Sequence, residues 1–577
     1  MCGIAGFYTR PGEALDVDPM SRAIAHRGPD EARELRDRPV QLAIRRLSII
    51  DLVTGSQPIS NETGTVHVVY NGEIFNYRSL RDELAAKGHV FTTRTDTEVL
   101  VHGYEEWGER VVDRLNGQFA FAIWDGLRLF LARDRMGEKP LYWARTDAGF
   151  FFASEIKGLL PHVSTRPRVG ESYWVWDTAL APDTLFEGIE ELPPAHTLSF
   201  DGRDVVIGRY WEIPNGESST RSESDLVEEL RALLVDAVAI RLMSDVDLGI
   251  FLSGGIDSAA IACIAKPDIA FTCRFPLGSK FDEFAYAELV AKHIGARQVV
   301  VSPTAGDFRD KLPAVIRHLD QPVATASVIA EFMLAEAARD QGVKVILGGQ
   351  GADEVFGGYV RYLLMAWEDR LARSEELSSY QSLARYFWNP RMFGDPAHRY
   401  FELVARYRPE HPDPHFELVR RMFARHTPLV DRMGNFDAHV SLPSLLTMND
   451  RACAAVGLEN RCPFLDHRLI EFGFRLPERC KIDENGTKRI LRKALRGIVP
   501  DAILDRRDKK GLVVPFHDWL FGPLDEWASD LESSLAARIE MPGNGSPRGE
   551  FDRGRYSRVS LELWFRNYFP DHRRDAG

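Results

Sequence analysis

The sequence predicts a sheet-rich α+β unit followed by an α/β unit with a parallel sheet and a helical C-terminal part. Three observations carry this expectation. Over roughly the first 200 residues, short β-type runs alternate with Gly, Pro and Asn-Gly turn signals. From Ser222 strand-like and helical segments alternate, and beyond Tyr359 the apolar period is almost wholly helical.

In chain order, Gln41–Ile50, Val66–Tyr70, Phe119–Trp124, Leu129–Ala132, Gly149–Ala153, Thr197–Phe200 and Val205–Ile207 are apolar or alternating runs of strand length. Tyr77–Lys87 and Thr97–Trp107 carry apolar residues at helical spacing. The polar, Ser-rich stretch GRYWEIPNGESSTRSES has no apolar period and places a boundary near residues 205–220, dividing the chain into 1–210 and 211–577. Past it, Glu223–Leu242 reads as a helix, Leu248–Leu252 as a buried strand and Ser258–Ala265 as a second helix. Ile269–Phe275, Gln298–Val301 and Val343–Leu347 are further strand-like runs, separated by helical stretches such as Ala285–His293 and Ala330–Asp340. Strands joined through helices run parallel, because each crossover returns the chain to the same end of the sheet.

A chain of 577 residues, 44% of them hydrophobic, can bury more than one core, which excludes a peptide ligand or a disordered tail. Its 72 Lys+Arg against 85 Asp+Glu leave a net charge of −13, the wrong sign for a protein held to nucleic acid or anionic lipid by counterion release. Six cysteines without a C-x-x-C pair fit neither a disulfide framework nor a zinc ribbon and point to a reducing compartment. There is no run of about 18 apolar residues and no signal-peptide pattern, so a cytoplasmic location without membrane or nucleic-acid partners is expected.

Met1 is followed by Cys2, Gly3 and Ile4, so removal of the initiator would expose Cys2 as the N-terminal residue. A terminal cysteine joins a thiol nucleophile to an α-amine of ordinary pKa about 8, which can act as base on its own side chain. Taken alone, an early cysteine is more often an ordinary buried residue. The motifs that follow change this reading: HRGPD at 26–30, RRLSIIDL at 45–52, YNGEIFNY at 70–77, RTDTEVL at 94–100, LNGQFAFAIWD at 115–125 and ARDRMGEKPLYW at 132–143. With MCGIAGF they resemble the class II glutamine amidotransferase domain in the version found in the asparagine synthetase B family, over nearly all of residues 1–210. The resemblance implies an Ntn-hydrolase-type αββα sandwich.

Hydrolysis of the glutamine amide passes through a tetrahedral oxyanion that needs fixed donors. The resemblance assigns these to the Asn71 side chain and the Gly72 N–H, although Asn-Gly by itself reads as a hairpin turn. It assigns the α-carboxylate of glutamine to Arg46 and the ammonium to Asp96, with Glu73 beside them and Leu47, Ser48, Ile49 and Ile50 lining the pocket. A guanidinium fork suits a carboxylate better than a lysine does.

The second unit contains GIFLSGGIDS at 249–258. A buried strand that ends in a Gly-rich turn and opens a helix presents backbone N–H groups and a positive helix end to an anion. The segment resembles the loop of ATP pyrophosphatases, which split ATP into AMP and pyrophosphate, and no Walker G-x-x-x-x-G-K-[ST] pattern occurs. On that resemblance Ser253, Gly254, Gly255 and Ser258 meet the ATP phosphates, Asp257 takes Mg²⁺, Phe251 and Cys273 lie at the adenine, and Gly348 and Gly349 lie against the nucleotide. LGGQGADEVFGGY at 347–359, GLENRCPFLDHRLIEF at 457–472, GTKRILRKAL at 486–495 and RRDKKGLVVPF at 506–516 resemble the synthetase domain of the same family. They supply Asp353 as a second metal or phosphate-site carboxylate and Lys488 as the cation opposing transition-state charge. Spacing puts Lys488 and Arg492 on one helical face, with Ile490, Leu491, Ala494 and Leu495 on the other. Arg506, Arg507, Lys509 and Lys510 read either as pyrophosphate contacts or as solvated surface.

Together these resemblances imply an enzyme that amidates a carboxylic acid through an acyl-adenylate, using ammonia released at Cys2 and carried along an internal passage, with aspartate as the default acceptor. Its partners are then glutamine, ATP and the acceptor, with Mg²⁺ and without an organic prosthetic group. Related enzymes are often homodimers. Two departures bear on the acceptor pocket, which the resemblance places at Gln350 and Asp353. Gln350 stands where members acting on aspartate usually carry Glu, and it cannot pair with an ammonium as a carboxylate does. The segment DQPVATAS at 320–327 departs from the more usual D-E-P-x-A-D-x-S. A different carboxylate, from specialised metabolism, is therefore an open alternative. A β-lactam or macrolactam synthetase-type cyclase is another, against which Cys2, Arg46, Asn71 and Asp96 weigh, since such enzymes do not need glutaminase chemistry. A scaffold protein would need neither set of residues, and a glutaminase serving a sugar-phosphate acceptor would not need SGGIDS.

Overall fold

A computed structural model describes the chain apart from residues 11, 215–218, 279–281, 324, 373–392, 408–413, 426, 485, 509–513, 542–552 and 574–577. The first unit contains strands β1 (Gly3–Thr9), β2 (Glu31–Asp37), β3 (Val40–Arg46), β4 (Ile59–Ser60), β5 (His67–Ile74), β6 (Gly117–Trp124), β7 (Leu129–Arg133), β8 (Tyr142–Arg145), β9 (Gly149–Ala153), β10 (Ile189–Glu191), β11 (His196–Phe200) and β12 (Val205–Arg209). Among the described residues they form two antiparallel six-stranded sheets, ordered β10-β8-β9-β1-β3-β2 and β12-β11-β7-β6-β5-β4.

Side chains alternate across each strand, so the inner faces of the two sheets share one core and the outer faces need covers. Along β9, Phe150 and Phe152 join Ile4, Leu42, Val69 and Ala122 between the sheets, while Phe151 and Ala153 turn outward toward Met20 and Ile24. Helices Tyr77–Ala86 and Glu98–Trp107 cover the other outer face through Leu80, Leu84, Val99 and Leu100. The αββα sandwich is thus the observed architecture. One of its outer layers is shared with helices of the second unit, including Gly554–Tyr568.

Two local expectations are corrected. Strand β3 ends at Arg46, so Leu47–Ile50 form a loop, and β5 continues through Asn71, Gly72 and Glu73. Asn71-Gly72 is therefore not a turn. Gly72 has φ +154° and pairs with Phe119, and a Cβ on it would lie 2.1 Å from the Gln118 carbonyl oxygen.

In the second unit β13 (Leu248–Phe251), β14 (Ile269–Cys273), β15 (Arg297–Val301), β16 (Val345–Leu347) and β17 (Glu459–Arg461) form a parallel sheet ordered β15-β14-β13-β16-β17. Helices Glu223–Ile240, Ile256–Ala265, Phe284–Ile294 and Val328–Asp340 pack on it. The first begins where the Ser222 hydroxyl accepts the Asp225 N–H. Neighbours of β13 on its two sides come from opposite directions in the strand order, and such a switch point opens a crevice at the C-terminal strand ends. Among the described residues beyond Tyr359 the regular structure is helical as expected, with the 26-residue helix Leu429–Ala454, but for the short edge strand β17. Among the described residues no helix is long and apolar enough to cross a membrane.

Candidate active sites

Cys2 precedes β1 at the end of the sandwich. Its Sγ lies 3.8 Å from the Leu47 carbonyl oxygen, and Arg27 Nε donates to the Cys2 carbonyl at 2.9 Å. A small pocket gathers Cys2 with Arg46, Leu47, Ile49, Ile50, Gly72, Glu73 and Asp96. Ser48 and Asn71 are not on its wall. The Ser48 N–H donates to Asp30 at 2.8 Å, while Asn71 is fully buried on β5 with neither amide atom hydrogen bonded. A buried amide without partners is costly, so it is the state expected of a group kept for a ligand.

Arg46 leaves the end of β3 and is held by the carbonyls of Ile50 (3.2 Å) and Asp51 (2.7 Å). Asp96 accepts the Tyr70 hydroxyl at 2.8 Å and the Ile74 N–H at 2.9 Å. Burial raises the Asp96 pKa, and burial with repulsion from Asp96 lifts Glu73 well above the usual carboxylate range. The pocket therefore offers one guanidinium and three acidic groups, Glu73, Asp96 and Glu459, a set able to meet the carboxylate and the ammonium of a free amino acid. Sequence reasoning missed Gln57, Tyr70, Thr95, Thr97 and Glu459 on the same wall. Thr95 and Thr97 flank Asp96 in a quoted motif, whereas Glu459 comes from the other unit and carries no local signal.

The second site is a cavity of about 240 Å³ at the C-terminal ends of β13, β14 and β16. Phe251, Ser253, Asp257, Ser258, Cys273, Gly348, Gly349, Gln350 and Asp353 line it. Gly254 and Gly255 shape the loop without lining the cavity. Gly254 has φ +75°, and a Cβ there would lie 2.6 Å from the Ala287 nitrogen, so the helix Phe284–Ile294 packs directly on the turn. Arg506 braces the loop from outside, donating to the Gly254 carbonyl at 3.2 Å and stacking 3.8 Å from the centre of the Tyr286 ring. Arg507 is not on the cavity wall, and Lys509 and Lys510 lie outside the described residues.

Lys488 corrects the expected helical face. It stands at the N-cap of the helix Arg489–Ala494 with φ +55°, and its Nζ lies 2.6 Å from Asp257 and 2.5 Å from Asp353. Arg492 instead turns back to the Thr487 carbonyl at 3.0 Å. The apolar set Ile490, Leu491, Ala494 and Leu495 is buried as expected.

On the acceptor side, the Gln350 Oε1 accepts the Cys462 thiol at 3.5 Å. Three acids that sequence reasoning missed line this cavity: Glu283, which pairs with Arg506, and Glu331 and Glu354. Glu331 accepts from Asn449 at 3.2 Å and burial raises its pKa to about 7; Glu354 accepts the Tyr359 hydroxyl at 2.6 Å, and burial beside Asp353 raises it to about 7. An acid at Glu331, in the apolar run Val328–Leu334, is the signal that was available. The segment at 320–327 is spent elsewhere. Asp320 accepts the Ile156 N–H at 2.7 Å and pairs with Lys157 (2.7 Å) and Arg451 (3.3 Å), and Gln321 accepts the Leu185 N–H at 3.0 Å. Those residues join the two units rather than line the cavity; Ala324 lies outside the described residues.

An apolar cluster links the residue before Cys2 to the second cavity. Met1 is fully buried, its amine donates to the Leu458 carbonyl at 2.9 Å, and burial lowers the amine pKa to about 5. Its side chain packs in one cluster with Phe271, Leu334, Ile346 and Cys453, and Phe271 and Leu334 also line the second cavity. Arg461 on β17 pairs with Glu73 and Glu459, each at 2.8 Å, and Gln118 and Lys139 donate to the Asn460 carbonyl at 3.1 and 3.3 Å.

Residues 1–211 match the family described as glutamine amidotransferase domain, and residues 229–551 match the family described as asparagine synthase. The chain is 33% identical to asparagine synthetase [glutamine-hydrolyzing] 1 of Bacillus subtilis (strain 168), over 93% of this chain and 91% of that protein. It is 32% identical to asparagine synthetase [glutamine-hydrolyzing] 3 of the same organism, over 92% and 90%. Amidase chry2 of Gibberella zeae is similar at 28%, over 94% and 93%. Two family matches in succession, and relatives aligned along nearly the whole length, establish that this chain belongs to the asparagine synthase family, as a glutamine-hydrolysing, asparagine synthetase-like amidotransferase.

Proposed function

We propose that this enzyme moves the amide nitrogen of glutamine to a carboxylic acid activated by ATP as an acyl-adenylate, with aspartate as the default acceptor. Residues 1–210 perform the glutaminase half and 211–577 the synthetase half. The observation that carries this reading is the buried apolar cluster in which Met1, next to Cys2, packs with Phe271 and Leu334 of the second cavity. Loss of Met1 would free the Cys2 amine as a base and open a buried, largely apolar space toward Phe271 and Leu334. Ammonia kept out of bulk water stays unprotonated and nucleophilic.

In the first half the Cys2 thiolate attacks the glutamine amide carbon, while the Asn71 amide and the Gly72 N–H oppose the charge on the oxyanion. Collapse, with the proton taken from the thiol delivered to the nitrogen, expels ammonia and leaves a thioester that water cleaves to glutamate. In the second half an oxygen of the acceptor carboxylate attacks the α-phosphorus of ATP and displaces pyrophosphate. Ammonia then attacks the acyl carbon, loses a proton and displaces AMP. Lys488, set between Asp257 and Asp353, opposes the negative charge that develops in both steps. Asp257 and Asp353 present the carboxylate oxygens that Mg²⁺ binds and would hold an ion that neutralises pyrophosphate.

Gln350 favours a second reading, in which the acceptor is a carboxylate other than aspartate. Its amide cannot hold an acceptor ammonium as a carboxylate would, and Glu331 and Glu354 are then the acids available on that wall. A panel of carboxylic acids incubated with glutamine and Mg-ATP, scored for glutamate, AMP and pyrophosphate, separates the two. Asparagine formation supports the default. Glutamine hydrolysis without aspartate-dependent pyrophosphate release rules it out.

A further inference from the structure

On the outer layer of the sandwich, four side chains turn their donor atoms toward one point. They are Glu62 in the turn between β4 and β5, His89 after the helix Tyr77–Ala86, and His102 and Glu105 one turn apart on the helix Glu98–Trp107. The Nδ1 of His102 lies 3.5 Å from Glu62 and 3.4 Å from Glu105, and the Nδ1 of His89 lies 3.9 and 3.8 Å from the same two carboxylates. The donor atoms of all four lie within 4.8 Å of one another. Ligands about 2.0–2.1 Å from a tetrahedral Zn²⁺ are roughly 3.3 Å apart along each edge. The carboxylate–imidazole pairs at 3.4–3.9 Å are already near that edge, and bringing the widest donors onto an ion closes them by at most about 1.5 Å.

The surroundings resemble a built site rather than a chance acidic patch. Glu62 Oε1 accepts the Val90 N–H at 2.7 Å and Glu105 Oε1 accepts the Asn61 amide at 2.7 Å, which fixes both carboxylates. Glu105 Oε2 faces both imidazoles, and Glu62 Oε2 faces His102, while His89 approaches Glu62 Oε1. Behind the rings stand two more acids. Glu98 is 3.7 Å from His102 Nε2 and Glu106 is 3.8 Å from His89 Nε2, so each histidine has a carboxylate at its far nitrogen, the arrangement that orients metal-ligating imidazoles. His102 is 1% exposed and its Nε2 makes no hydrogen bond. Glu98 is itself fixed by the N–H groups of Thr92 (2.7 Å) and Thr93 (2.8 Å).

We propose that Glu62, His89, His102 and Glu105 form a four-coordinate structural site for a divalent transition-metal ion, Zn²⁺ by its donor chemistry. Two imidazole nitrogens with two carboxylate oxygens suit Zn²⁺, whereas Mg²⁺ and Ca²⁺ take all-oxygen sets. The ion ties together the β4–β5 turn, the loop after Ala86 and the helix Glu98–Trp107. The residues leading into that helix carry Thr95, Asp96 and Thr97 of the Cys2 pocket, so the site stiffens the glutamine pocket from outside.

The test uses the full-length protein in a Cys2→Ala background, which removes the active-site thiol as a competing ligand. After chelation and dialysis against Zn²⁺, metal content is measured by emission spectrometry, affinity by competition with a chromophoric chelator, and geometry by the visible spectrum of the Co²⁺ form. One ion per chain, an intense four-coordinate Co²⁺ spectrum and a Zn²⁺-dependent rise in Tm are expected. His89→Ala, at a partly buried loop position, should weaken Zn²⁺ binding at least 100-fold and abolish the rise in Tm. Glu106→Gln, behind His89, should weaken it roughly 10–100-fold. If His89→Ala fails to fold, Glu105→Gln at an exposed position reads out the same loss. Failure to retain an ion, a six-coordinate Co²⁺ spectrum, or Zn²⁺ binding unchanged in these variants overturns the assignment.

Discussion

Cys2 cannot use its own amine as a base while that nitrogen is bonded to Met1, and burial raises the pKa of its thiol. Under the proposed mechanism, thiolate formation therefore requires removal of Met1. Cys2→Ala should lower glutamine-dependent synthesis roughly 10³-fold or more while leaving ammonium-dependent synthesis intact, read as pyrophosphate release with each nitrogen source. Loss of both would sink the proposed division of labour. Glu331 makes a prediction of opposite character. Burial holds its pKa at about 7, above the ordinary value near 4.3, so between those values the folded state binds more protons than the unfolded one. Stability from this group is then present at low pH and lost as pH rises through about 7. Glu331→Gln should stabilise the free protein by up to about 3 kcal/mol at pH 8, a gain that vanishes near pH 4, measured by urea unfolding across that range. Cys2, Arg46 and Asp96 were legible because their motifs are local. Glu331 was not, because its significance depends on a cavity wall assembled from several distant segments.

Within single elements, conformation decides what a motif means. Asn71-Gly72 has the composition of a turn, but antiparallel pairing with β6 keeps it extended, so the Asn71 amide is buried and the Gly72 backbone fits against Gln118. Gly72→Ala should cost roughly 1–3 kcal/mol through this clash, seen as a lowered Tm, and reduce glutamine-dependent turnover more than ammonium-dependent turnover. Lys488 teaches the same lesson at a helix end. Periodicity continued the helix through it, but a left-handed N-cap residue swings its side chain toward Asp257, 231 positions earlier in the chain. Strand β1 escaped pattern reading because both its faces are buried, which removes the alternation a half-exposed strand displays. Strand β17 escaped for another reason: Glu459, Asn460 and Arg461 are polar, and their burial is offset by the Arg461–Glu459 pair within the strand, the Arg461–Glu73 pair across the joint and hydrogen bonds to the Arg241 and Met243 carbonyls.

Across the whole molecule, the net charge of −13 coexists with local cations held where anions must bind. Arg461 is the clearest case at the joint. Removing it leaves Glu73 and Glu459 buried without their partner, and breaking such a pair typically costs about 3–5 kcal/mol. Arg461→Ala should therefore lower stability on that scale and loosen the joint, so that more than one glutamate forms per pyrophosphate, a ratio near unity being expected for the unaltered enzyme. A ratio unchanged in a folded Arg461→Ala protein would remove Arg461 from the coupling of the two halves.

By itself the sequence determined the order of the two units and marked Cys2 as the proposed nucleophile and SGGIDS as the proposed phosphate loop. These depend on short stretches whose chemistry and backbone preferences are complete within a few residues. Only the tertiary structure decided that Asp320 and Gln321 serve the joint, that Glu331 and Glu354 line one cavity with Gln350, and that one apolar cluster runs from Met1 to the second cavity. The physical reason is that the environment of a buried charge and the shape of a cavity are set by segments far apart in the chain, and no local pattern records which of them meet.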